Sequence, residues 1–232
     1  MPIGTLSEKS LHASLKEWVG QPGDEFEVKV DGFFIDVVRG QTLIEIQTRH
    51  LYAMKRKLKK LLANGHTIRL LHPIAQEKWI VRETAVGDPI SRRKSPKRGK
   101  PLDIFKEMVR LTGLIPHPNL SIEVLLTQEE EILRDDGQGS WRRKRWSIHD
   151  RLLLDVVAQA KFATESDYVA VIPEGLERPF TNKQLAQALA IRPTLATKIS
   201  YTLRQMDLLE IIGKQGRSNL YTPQTGNGLG GM

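Results

Sequence analysis

The stretch FFIDVVRGQTLIEIQT, residues 33–48, reads as two strands rich in Phe, Ile, Val and Leu, yet Asp36, Glu45 and Gln47 stand where a buried sheet would carry apolar side chains. Gly40-Gln41 joins the strands as a two-residue loop, with glycine at the first central position as a type II′ hairpin turn wants. Register follows by counting outward from that turn: Arg39 faces Thr42, Val38 faces Leu43, and Asp36 faces Glu45. Gln47 shares the side of Glu45 because strand side chains alternate. Carboxylates placed opposite one another repel, and burial raises the cost, so a fold that keeps such a pair is expected to hold a cation between them. Hard oxygen donors suit magnesium or manganese. The competing reading makes Asp36 and Glu45 outward residues of a sheet with one wet face, each paired with a neighbouring Lys or Arg.

The flanking segments extend the pattern. LSEKSLHASLKEWV, residues 6–19, places Leu11, Leu15, Trp18 and Val19 at helical spacing, with Ser7 as cap and Glu8 in the opening turn. FEVKV and an Asp-Gly turn precede the quoted stretch, which makes three antiparallel strands. HLYAMKRKLKKLLANG then carries Leu51, Met54, Leu58, Leu61 and Leu62 on one stripe, basic residues opposite, and Asn64-Gly65 as a stop. HTIRLLHPI and EKWIVRE read as two further strands. The order is helix, three-strand meander, helix, strand.

An acid early in the first helix, an Asp in the second strand and Asp/Glu-x-Lys in the third, here Glu45-Ile46-Gln47, followed by a basic amphipathic helix and a strand, is the pattern of the PD-(D/E)XK, restriction-endonuclease-like nuclease superfamily, which this sequence resembles over about residues 6–82. That resemblance implies an α/β fold in which Asp36 and Glu45 are metal ligands, the backbone carbonyl of Ile46 is a further ligand, Glu8 is an auxiliary helical acid, and Mg2+ or Mn2+ is the cofactor. Gln47 stands where the superfamily usually has lysine; it can hydrogen-bond but carries no charge to offset a developing negative one. Arg49, of the same strand parity, and Lys55, in the next helix, are the nearby cations that could substitute.

The composition fits such a reading and excludes others. The chain has 232 residues, an ordinary 40% apolar content and no cysteine, which removes disulfides, thiolate zinc sites and a thiol nucleophile. A net charge of +8 and a pI of about 9.7 favour a polyanionic partner, without distinguishing DNA from RNA. The first residues lack the pattern of a signal peptide, and no apolar run reaches the roughly 18 residues of a membrane span, so a soluble cytoplasmic protein is expected.

GDPISRRKSPKRGKP, with six basic residues and little to bury, reads as a mobile loop in which Arg92, Arg93, Lys97 and Arg98 track phosphates or simply stay solvated. Arg142, Arg143, Lys144 and Arg145 form a second cluster between Trp141 and Trp146, indoles suited to stacking or to anchoring a strand. LDIFKEMVRLTGLI and SIHDRLLLDVVAQAKF read as helices, LSIEVLLTQEEEIL as a strand, and DYVAVIPEG as a short extended piece. FTNKQLAQALAI, capped by Thr181, and RPTLATKISYTLRQM, opened by Pro193, are two more helices before a hairpin with Gly216 at its tip. Residues 148–222 resemble a winged helix-turn-helix. That resemblance implies Thr194, Thr197, Lys198, Tyr201 and Arg204 in the major groove, with Lys214, Arg217 and Asn219 on the wing.

The expected division is a nuclease-like core over 1–86, a basic extension over 87–147, a mainly α winged-helix domain over 148–222 and a disordered tail over 223–232. The expected activity is Mg-dependent hydrolysis of DNA phosphodiester bonds, by a homodimer or within a larger nucleoprotein complex, with no membrane partner. The alternative is a non-catalytic DNA-binding regulator on a degenerate nuclease fold, favoured by Gln47.

Overall fold

The structure is a computed structural model that describes residues 10–137, 139 and 146–224. It is mixed α/β. A sheet of seven strands has the order β1-β2-β3-β4-β6-β7, with β5 pairing β4 from off that path. Its strands are β1 (Glu25–Val30), β2 (Phe33–Arg39), β3 (Thr42–Ile46), β4 (Thr67–Glu83), β5 (Pro89–Lys94), β6 (Leu120–Arg134) and β7 (Ser147–Phe162). The helices are α1 (Ser10–Val19), α2 (Lys55–Ala63), α3 (Phe105–Met108), α4 (Glu165–Val169), α5 (Asn182–Ala188) and α6 (Pro193–Gln205), and a separate hairpin joins β8 (Leu209–Gln215) to β9 (Ser218–Pro223).

The described residues form two compact units that cut across the expected linear division. One contains 10–49, 67–101 and the described part of 123–160; the other contains 50–66, 102–122 and 161–224.

In the sheet unit, the hairpin follows the counted register, with Arg39↔Thr42 and Val38↔Leu43 across a turn at Gly40, φ 55°. The pairings β1/β2 and β2/β3 are antiparallel and β3/β4 is parallel, Ile44 lying beside Arg69 and Ile46 beside Leu71. Leu11, Leu15 and Val19 recur at the helical repeat and bury the inner face of α1 against Val37, Ile44, Ile46, Leu71 and Leu125. Trp18 falls off that stripe and is 42% exposed. Asp24 ties the entry of β1 to the end of β2: its carboxylate accepts from Arg39 Nε and Nη2 at 2.8 and 2.7 Å, while the same Nη2 donates to the Val19 carbonyl at 2.7 Å. The Arg39 hydrogen bonds hold the Asp24 carboxyl down to about 2.

In the second unit, Leu51, Met54, Leu58, Leu61 and Leu62 are buried as their spacing predicts, and α2 ends at Gly65, φ 83°, with the His66 amide returning to the Leu61 carbonyl. Thr181 and Gln184 form a capping box on α5: the Thr181 hydroxyl accepts from the Gln184 amide, and the Gln184 side chain accepts from the Thr181 amide. Pro193 occupies the first turn of α6, whose inner face buries Leu195, Ala196, Ile199 and Leu203. The β8/β9 hairpin closes at Gly216, and a bridge between Phe180 and Tyr221 lays a third extended segment beside β9.

Five local expectations are corrected. SIHDRLLLDVVAQAKF is the strand β7, next to β6, with Leu153 and Val156 packed on the α1 core; pairing overrides the helical propensity of its Leu, Ala and Gln. HTIRLLHPI and EKWIVRE form one unbroken strand, β4, because Pro73 and Ala75 do not interrupt its extended path. Part of the expected mobile loop is β5, fixed by antiparallel pairing of Ile80 with Arg93 and Val81 with Arg92. LDIFKEMVRLTGLI yields only a 3-10 turn and the four residues of α3, with turns following. DYVAVIPEG begins inside α4, where Thr164 and Asp167 form a capping box that the extended reading overlooked.

Candidate metal and nucleic-acid sites

Asp36 sits where β2 leaves regular pairing on both sides. Toward β3, the ladder ends at Val37↔Ile44, one pair before Asp36 would meet Glu45. The Asp36 carboxylate instead accepts the Ile46 amide through Oδ2 at 2.7 Å, so it lies against the Glu45–Ile46 peptide. Toward β1, regular pairs Phe26↔Val37 and Val28↔Ile35 bracket Glu27, which has φ 55°. A non-glycine residue in that region carries strain of about 1 kcal/mol or more. Counting from the turn thus brings Asp36 to the segment that holds Glu45, while direct cross-strand facing gives way to a side chain capping the neighbouring amide.

Glu45 is 3% exposed, in a strand whose Leu43, Ile44 and Ile46 are also buried. His12 of α1 places Nε2 3.3 Å from Asp36 Oδ2, an ion pair whenever the imidazole is protonated. Sequence reasoning assigned His12 no role; in the expected helix it falls one turn after Glu8, a spacing that carried the signal. Glu8 itself lies outside the described residues.

Gln47 faces inward with its main chain and sideways with its amide. Its backbone amide donates to the Leu71 carbonyl at 2.9 Å, its carbonyl lies 2.6 Å from His72 Nδ1, and its side-chain amide donates to the Arg49 carbonyl. A carbonyl only accepts, so Nδ1 of His72 carries the proton. His72, 8% exposed, is a second histidine without metal-ligand spacing in the sequence, where all six read as structural or surface. Arg49 is half-buried at the end of this segment, and Lys55 is exposed in the first turn of α2, in the second unit.

The Asp36 and Glu45 carboxylates and the Ile46 carbonyl are hard oxygen donors, a chemistry that suits Mg2+ or Mn2+ better than a softer ion. Among the described residues, no group of three or more His, Asp or Glu side chains has metal-holding geometry.

The nominated nucleic-acid residues divide. Arg92 donates to Glu130 at 2.5 Å and lies 5.1 Å from the centre of the Trp79 ring, while Lys94 and Arg98 both reach Glu77, at 2.8 and 3.2 Å. The Lys94 hydrogen bond holds the Glu77 carboxyl below the ordinary range. Arg93 and Lys97 are exposed and make no ion pair among the described residues. Arg142, Arg143, Lys144, Arg145 and Trp141 lie outside the described residues; the Trp146 ring has the Arg82 guanidinium 5.1 Å from its centre. Along α6, Thr194, Thr197, Tyr201 and Arg204 are exposed and Lys198 is half-buried, so all five line the face opposite Leu195, Ile199 and Leu203. Lys214 and Arg217 are exposed at the β8/β9 tip, and Asn219 is half-buried. No helix among the described residues is long and apolar enough to cross a membrane.

Residues 9–163 match a family described as Domain of unknown function (DUF8091). A protein of Treponema pallidum (strain Nichols), titled "Uncharacterized protein", is 32% identical over 223 residues, spanning 95% of this chain and 87% of that relative. No solved structure matches the chain.

Proposed function

This chain belongs to the DUF8091 family, and we propose that it is a metal-dependent nuclease that hydrolyses DNA phosphodiester bonds. The observation that carries the reading is the Asp36 carboxylate seated on the Ile46 amide, at the point where the β2/β3 ladder stops and beside the buried Glu45. The element order α1-β1-β2-β3-α2-β4, with β3 parallel to β4, supports a restriction-endonuclease-like core. The order α4, bridge, α5, α6 and hairpin supports a winged-helix module that would carry the core to DNA through the outer face of α6.

Asp36, Glu45 and the Ile46 carbonyl would hold the ion. Bound there, a divalent cation would acidify a coordinated water and polarise the scissile phosphate. The chain's own parts have separable duties. The Ile46 amide fixes the Asp36 carboxylate, His12 borders that carboxylate from α1, and the Arg49 carbonyl fixes the Gln47 amide. Gln47 can orient a water or a phosphate oxygen by hydrogen bonding, leaving charge stabilisation to the metal.

One observation favours a second reading, a DNA-binding protein without hydrolysis: the Gln47 side chain is committed to a local backbone carbonyl, and no lysine replaces it within the described β3 segment. Labelled duplex, single-stranded and branched DNA incubated with the full chain and magnesium, manganese or EDTA separates the two. Metal-dependent cutting that Asp36→Ala abolishes supports the nuclease. Binding that needs no metal, with intact product under every condition, supports the regulator and ends the catalytic proposal.

A further inference from the structure

The outer face of α2 carries a cationic surface that neither the nuclease centre nor the winged-helix face uses. Residues 50–66 contain five Lys or Arg and no acid. Lys55, Arg56 and Lys59 are exposed and form no ion pair among the described residues. Tyr52, 42% exposed, precedes them by about one turn, and the exposed Arg110 holds its guanidinium 4.6 Å from the Tyr52 ring centre. Two acids of this unit are engaged elsewhere: Glu107 accepts the Leu51 amide at 3.1 Å, and Asp103 pairs with Lys106 at 2.6 Å.

We propose that Lys55, Arg56, Lys59 and Arg110 form a sequence-independent seat for the phosphate backbone of duplex DNA. The seat rests on the proposed function only in taking nucleic acid as partner, and needs neither metal nor hydrolysis. Three features select that partner. Lys55 and Lys59 are separated by about 6 Å of helix rise, room for about two phosphates of one strand. The Tyr52 face is already covered by Arg110, which leaves it unsuited to stacking on an unpaired base, the device single-strand binders use. The leucines of α2 all point inward, Leu58 and Leu61 at 0% and Leu62 at 4% exposure, so the helix has nothing to insert into a lipid surface.

Affinity of the full chain for a short labelled duplex, measured in EDTA against salt, tests the assignment. Every cation withdrawn from a phosphate lowers the log–log salt slope by about 0.9, so Lys55→Gln/Arg56→Gln/Lys59→Gln should lower it by about 2.7. Between about 50 and 200 mM salt, the wild-type advantage then shrinks roughly 40-fold. Glutamine keeps helix propensity near that of lysine, and thermal melting verifies the fold. Lys55→Arg/Lys59→Arg, which preserves charge, should bind as wild type does. The control Lys29→Gln/Lys161→Gln/Arg178→Gln removes equal charge elsewhere. A slope change no larger than the control's overturns the assignment, as does a triple variant that loses binding to phosphatidylserine vesicles while binding duplex normally. Because no cutting is measured, a catalytically inert protein leaves the result unaffected.

Discussion

If Asp36 and Glu45 share a divalent ion, metal must stabilise the fold, by an amount set by the ratio of ion concentration to dissociation constant. An ion present at ten times its dissociation constant stabilises the native state by about 1.4 kcal/mol, which for a chain of this size raises Tm by about 3–6 °C. Asp36→Asn removes that linkage and also weakens the 2.7 Å hydrogen bond from the Ile46 amide. A bond to a charged acceptor contributes about 1.5–3 kcal/mol; asparagine retains a neutral acceptor, so about 1 kcal/mol should be lost in EDTA. The gap between the two proteins therefore widens from about 1 to about 2.4 kcal/mol when magnesium replaces EDTA. Thermal melting by circular dichroism over a magnesium series reads both quantities. A wild-type Tm indifferent to magnesium and manganese up to precipitation refutes the shared ion. A variant as stable as wild type in EDTA refutes the role given to the Ile46 amide.

Three further outcomes follow from the packing. Asp24 has its carboxyl held at about 2 in the folded chain against an ordinary 3.8, chiefly by Arg39 hydrogen bonds; its stabilisation is whole above about pH 3.8 and drains as pH falls toward 2. Acid unfolding of Asp24→Asn should lack that component, and parallel curves for the two proteins would exclude it. Leu15→Ala, at 0% exposure on the inner face of α1, should lower stability by about 2–5 kcal/mol in urea unfolding; a loss under about 1 kcal/mol would mean α1 is not anchored as described. Thr181→Ala breaks the capping box of α5 and should lower stability by about 1 kcal/mol, with Thr181→Ser nearly neutral in the same assay.

What was legible in the sequence was whatever rests on short-range chemistry. Gly40-Gln41 defined the hairpin because a two-residue turn leaves one register, and α2 was readable because Leu58, Leu61 and Leu62 continue the stripe that Leu51 and Met54 begin in the 3-10 turn before it. β7 was not. Its Leu152, Leu153, Leu154, Val156 and Val157 satisfy a helical count as well as a strand count; Leu153 and Val156 pack against the α1 core, while Leu154 and Val157 are 46% and 38% exposed. The partner that decides, β6, is distant in sequence. β5 was hidden for a related reason: Arg92, Lys94 and Arg98 look like free cations until Glu130 and Glu77 from neighbouring strands are placed beside them. In the candidate site, counting brought Asp36 to the segment that holds Glu45, and the place of His12 one turn after Glu8 was visible in the sequence, but His72 entered through a tertiary contact that no local pattern encodes.

The open ladder and the carboxylate at its end are one feature. In a hairpin regular through Asp36, the Ile46 amide would donate to a main-chain carbonyl of β2, and the Asp36 and Glu45 side chains would stand at the closest cross-strand spacing. Here Asp36 supplies the acceptor itself, which parts the strands and relieves the pair of direct opposition. That arrangement keeps the Asp36 carboxylate on the peptide that follows Glu45, the placement on which the nuclease reading rests, and metal linkage is what separates an ion ligand there from a plain amide cap. Burial of Glu45 does not discriminate between them, and the bond of the Gln47 amide to the Arg49 carbonyl leans toward the regulator. Linkage does discriminate, because only a shared cation leaves Asp36 and Glu45 variants equally indifferent to metal while wild type alone responds. Glu45→Gln should lose the magnesium response as completely as Asp36→Asn, although its side chain makes a different set of contacts; a Glu45→Gln protein that keeps the full response would remove that carboxylate from the site.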